Sequence, residues 1–84
     1  MKDLVRQLLS ELGENPSREG LQNTPERVEK SLKFLTGGYW VNIDEIVNGA
    51  LYKENYNEMV IVKEIEMYSM CEHHILPFIG KCHV

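Results

Sequence analysis

The spacing of apolar residues changes once along this chain, and that change restricts the fold class. Leu4, Val5, Leu8, Leu9 and Leu12 recur at helical spacing, as do Val28, Leu32 and Leu35 further on. From Met59 to Met67 the pattern becomes that of a strand. Three β-branched residues stand in a row, and then Ile65 and Met67 alternate with Glu64 and Glu66. Helices followed by strands argue for an α+β arrangement rather than alternating α/β units. The division expected is a helical region over residues 1–58 and the start of a sheet over residues 59–84.

Local signals place the elements. Asp3 can cap the first helix, and Gly13 offers the left-handed residue that ends it. Residues 13–23 are rich in Gly, Asn, Pro and Ser and read as an ordered loop or short helical turn. Thr24 then caps a second helix with Pro25 at its first position, where a missing N–H costs nothing. Gly37-Gly38 ends that helix, and Tyr39-Trp40-Val41 forms an apolar exit. Asn42 can cap a short third helix through Val47, closed by Asn48-Gly49. Residues 52–57 read as a loop. Phe78 to Val84 is the return strand of a hairpin, with Gly80 as its bulge.

An 84-residue domain buries only about 60 to 65% of its unfolded surface, and chains of this size generally need disulfides, a metal or partner subunits to supplement the core. Nine basic against thirteen acidic residues, a net charge of −4, argue against a general nucleic-acid or membrane-surface binder. Two late cysteines, Cys71 and Cys82, do not make a secreted disulfide framework. Charged residues at the start and the lack of a long apolar run lead to the expectation of a soluble cytoplasmic protein.

Cys71-Glu72-His73-His74 puts a thiolate and two imidazoles within one turn after the strand-like run. A catalytic zinc takes three protein ligands and lowers the pKa of a fourth-position water from about 15.7 to about 7. Adjacent side chains diverge, so Cys71 and His74 form the better chelating pair, and His73 faces another way as an acid or base. The other reading makes Cys71 a small buried hydrophobe and the histidines surface residues. Glu72 either pairs with a basic group, orients a histidine or is a solvated turn carboxylate. Arg27 and Lys30 share one helix face near an N-terminus that favours anions, although two such residues by themselves are ordinary solvated charges. Cys82 is expected to pack, and His83 to be structural.

The run from Tyr68 to Lys81 resembles the zinc-site segment of GTP cyclohydrolase I. Glu14-Asn15-Pro16-Ser17-Arg18-Glu19-Gly20-Leu21, Thr24-Pro25-Glu26-Arg27-Val28 and Gly37-Gly38-Tyr39 resemble the helical region of the same family in the same order. The resemblance implies the tunnelling fold, with helices on one face of an antiparallel sheet, in a homo-oligomer of two stacked pentameric rings. It implies a zinc hydrolase acting on a cyclic amidine: GTP is opened at C8, formate is released, and 7,8-dihydroneopterin triphosphate is formed for pterin and folate synthesis. Cys71 and His74 match zinc ligands, His73 matches a proton-transferring histidine, and Arg27 and Lys30 match contacts to the triphosphate. The third zinc ligand, a second catalytic histidine and a guanine-binding glutamate would lie beyond Val84. The expectation is therefore a fragment of the enzyme, the alternative being a non-catalytic zinc-binding or subunit-interaction module.

Overall fold

The computed structural model describes residues 1–84. Three helices precede two antiparallel strands, which is the α+β class expected: α1 at Lys2–Glu11, α2 at Thr24–Leu35, α3 at Ile43–Val47, β1 at Ile65–Met70 and β2 at Pro77–Cys82. Short 3₁₀ turns occupy Glu19–Leu21 and Gly37–Trp40. The chain divides into two compact units, Met1–Thr36 and Gly37–Val84. No helix is long and apolar enough to cross a membrane.

In the first unit α1 and α2 pack against each other, and the buried side chains are Val5 and Pro25. Pro25 has no N–H to leave unsatisfied, so it can be buried at a helix start without the usual penalty for an orphan donor. Val28, Leu32 and Leu35 are half-buried along one stripe of α2, as their spacing predicts. The apolar stripe of α1 divides. Val5 and Leu9 turn inward, whereas Leu4, Leu8 and Leu12 form a neighbouring ridge that stays exposed.

The ends of these helices show which local signals operate. After α1, Gly13 adopts φ +86°, its N–H donates to Ser10 O at 3.0 Å, and Glu14 N–H donates to Leu9 O at 2.9 Å. This paired closure is the Schellman arrangement, which needs a residue that tolerates left-handed backbone. Asp3 is not the cap of α1. The helix begins one residue earlier, and the Asp3 carboxylate lies in its first turn, 2.6 Å from Arg6 Nη1. Thr24 does not cap α2 either. Asn23 stands at the cap with near-helical backbone, φ −95° and ψ −3°, so no side chain adopts the extended geometry from which a cap accepts. At the other end, Thr36 directs both its N–H and its hydroxyl to Leu32 O, and Gly37-Gly38 runs on into the 3₁₀ turn without positive φ.

In the second unit Asn42 caps α3 as expected, its Oδ1 accepting from the N–H groups of Asp44 at 3.0 Å and Glu45 at 3.4 Å. Strand β1 begins at Ile65 rather than Met59. Val62 and Val84 exchange two backbone hydrogen bonds, of 2.7 and 3.0 Å, while the ladder proper starts with Ile65 opposite Cys82. Two residues, Lys63 and Glu64, therefore oppose the single His83, which is a β-bulge. Glu64 has φ +57°, and its N–H donates to His83 Nδ1 at 2.9 Å. The bulge thus lies on the outgoing strand. Gly80, where it was expected, pairs in regular register with Met67.

Two outcomes follow. Gly13→Ala leaves the space around Cβ open but forces a side chain onto left-handed backbone, so it should destabilise the first unit by about 1 kcal/mol, read as a lowered thermal midpoint. Glu14, Glu26 and Glu29 have their carboxyls held below the ordinary value of 4.5 by hydrogen bonds from Arg18, Lys30 and Lys33 respectively. A depressed folded value contributes stability above pH 4.5 that disappears as pH falls through it, so helical circular dichroism should decline on acidification below that point.

Candidate active site

The hairpin connection builds the site. Beyond the last ladder pair, Met70 with Pro77, the Cys71 N–H donates to Leu76 O at 2.8 Å and the Ile75 N–H donates back to Cys71 O at 2.8 Å. The second bond closes a single helical turn, and residues three apart on such a turn share a side. Cys71 Sγ and His74 Nδ1 consequently lie 3.6 Å apart. Ile75 completes the turn at φ +56°, a conformation that costs a β-branched residue about 1 to 2 kcal/mol. Backbone bonds on both sides hold it there.

The donor set fits a metal at this pair. With ordinary Zn–S and Zn–N bond lengths, a tetrahedral zinc places sulfur and nitrogen ligands about 3.6 Å apart. Cys71 is half-buried, and both histidines are exposed. His73 is less divergent than neighbouring side chains on an extended segment would be. Its Nδ1 is 4.0 Å from Cys71 Sγ, its Nε2 is 3.6 Å from Glu72 Oε1, and its ring stands at 76° to that of His74. No group of three or more His, Cys, Asp or Glu side chains is assembled to hold a metal. Cys82 is exposed, so the expectation that it packs is corrected. It stands opposite Ile65 near the open end of the hairpin, with Sγ 3.9 Å from His83 O. His83 is structural, anchoring the bulge.

Arg27 and Lys30 lie together in the first unit, where with Asn23 and Glu26 they line a cavity of about 230 Å³ at the start of α2. Lys30 Nζ is 2.8 Å from Glu26 Oε1 and Lys2 Nζ is 3.7 Å from Glu26 Oε2. These contacts lower the Glu26 carboxyl, chiefly through the Lys30 hydrogen bond, and raise the Lys30 ammonium. Glu26 joins Arg27 and Lys30 here, a residue that the charge and motif reading of the sequence does not single out. Its place four residues before Lys30 was the available signal.

Among known proteins, the sequence model of GTP cyclohydrolase I matches residues 1–84. The chain is 54% identical over 84 residues to GTP cyclohydrolase 1 of Leptospira biflexa, covering 100% of this chain and 46% of that protein. It is 60% identical over 84 residues to GTP cyclohydrolase 1 of Neurospora crassa, covering 100% of this chain and 27% of the relative. The protein of the same name from Chromohalobacter salexigens is 52% identical over 84 residues, again covering 100% of this chain, with 46% of the relative covered. The chain thus spans less than half the length of these relatives. Three helices leading into an antiparallel strand pair are consistent with the tunnelling fold. With the family match running from end to end and the Cys71-Glu72-His73-His74 turn within it, the chain belongs to the GTP cyclohydrolase I family.

Proposed function

We propose that these residues form part of a zinc-dependent GTP cyclohydrolase I, which hydrolyses GTP to 7,8-dihydroneopterin triphosphate and formate. The observation that carries this reading is the 3.6 Å separation of Cys71 Sγ and His74 Nδ1 on a strained turn, in a chain of this family. Cys71 and His74 would hold zinc, which when bound supplies a Lewis acid able to activate water at neutral pH. A third ligand would come from residues outside this chain, as two are fewer than a catalytic zinc requires.

His73 is the proton-transferring group in this proposal, since an imidazole both donates and accepts near neutral pH. Glu72, whose Oε1 lies 3.6 Å from Nε2, would support the ring from the same turn. Arg27 and Lys30 would hold the substrate's triphosphate, Arg27 by its planar fork and Lys30 as a point charge. A homo-oligomer belongs to the same reading, since the family resemblance implies two stacked pentameric rings. A cytoplasmic location belongs to the same proposal.

In the whole protein purified without chelators, Cys71→Ser and His74→Ala should lose zinc by elemental analysis, while Cys82→Ser should retain it. His73→Asn should keep the metal yet lower kcat for formate release by about 10² to 10⁴. Zinc bound in wild-type protein without formate production would instead identify a metal-binding module. Arg27→Ala should raise KM for GTP about tenfold or more with zinc content unchanged, as expected for loss of a charge-assisted hydrogen bond. An unchanged KM would remove Arg27 from the substrate site.

A further inference from the structure

The cavity at the start of α2 contains its own anion. Arg27 has no carboxylate within ion-pair distance, whereas Lys30 Nζ is held 2.8 Å from Glu26 Oε1, and all three side chains line the same space. A carboxylate oxygen and a phosphate oxygen are equivalent acceptors for an ammonium group. An incoming polyanion that draws on Lys30 must therefore either displace Glu26 or lie beside a like charge. The second carboxylate oxygen, 3.7 Å from Lys2 Nζ, gives Glu26 another cation when Lys30 turns away. Both partners of the pair are substantially exposed, with side-chain accessibilities of 75% for Lys30 and 51% for Glu26, so the exchange requires no unpacking.

We infer that Glu26 competes with the anionic ligand for Lys30 and so limits the affinity of this site for polyphosphate. The inference rests on the assignment of Arg27 and Lys30 to the triphosphate. It makes Glu26 a residue that tunes substrate affinity through Lys30, with Arg27 as the cation available from the start.

The test is calorimetric titration of inorganic tripolyphosphate into the whole protein at low ionic strength, for wild type, Arg27→Ala, Lys30→Ala, Glu26→Gln and the Glu26→Gln/Lys30→Ala double variant. Glu26→Gln preserves side-chain shape at an exposed helix position, and equal helical circular dichroism would verify the fold. Arg27→Ala and Lys30→Ala should each weaken binding. Glu26→Gln should tighten it about twofold, the scale of an exposed ion pair, and the gain should vanish when Lys30 is Ala. Unchanged or weaker binding in Glu26→Gln, with the two cation variants still impaired, would overturn the inference while leaving the phosphate assignment standing. A gain that persists undiminished without Lys30 would also overturn it, because general repulsion would then be the cause. Full tripolyphosphate affinity in both Arg27→Ala and Lys30→Ala would remove the phosphate assignment itself.

Discussion

Matched backbone hydrogen bonds close the ends of the elements in both units of this chain. Only Val5 and Pro25 are buried, and most large apolar side chains of the hairpin unit are exposed. Helix and hairpin ends carry backbone donors and acceptors without a partner inside the element, and local closures match them over a few residues. The paired bonds around Gly13, the Asn42 cap, the Thr36 closure and the turn from Cys71 to Leu76 are such closures. A strand pair alone is marginal in water, so the apolar faces left open are surfaces that the chain does not satisfy by itself.

The same economy produces the candidate metal pair. The Cys71–Leu76 backbone bond ends the hairpin, and the Ile75–Cys71 bond within it makes the connection helical. Because of that local helicity, a thiol and an imidazole three residues apart approach to 3.6 Å. Ile75 bears the backbone cost of the turn. Neither partner is deeply buried, which keeps the pair open to further ligands.

The bulge and the groove at the start of α2 show a second common theme, namely short-range electrostatics. Glu64 gives its N–H to His83 and its carboxylate to Lys81, so one residue serves both the backbone defect and a cross-strand ion pair. Glu26 similarly gathers Lys2 and Lys30 from two helices of the first unit. In exposed positions such pairs are weak and exchangeable, properties suited to a binding surface rather than to a framework.

Much of this protein was legible from its residues. The change from helical to alternating spacing separated helices from strands, Gly13 and Asn42 announced their roles, and Cys71-Glu72-His73-His74 pointed to the candidate site because a thiol and two imidazoles fall within one turn. Other features depended on tertiary arrangement. Asp3 and Thr24 have suitable side chains for capping, yet α1 starts earlier and the backbone enters α2 already near-helical, so neither caps. The bulge arose at Lys63 and Glu64 because pairing to Val84 and Cys82 cannot keep one register across both contacts, and strand propensity carries no information about register. Sequence spacing alone thus determined which elements form and which donors lie in the turn, since both depend on neighbours along the chain. The 3.6 Å approach of Cys71 to His74, the half-bare stripe of α1 and the pairing of Glu26 with Lys2 were decided only in three dimensions, where backbone closure and the facing helix select among side-chain positions that the sequence leaves equivalent.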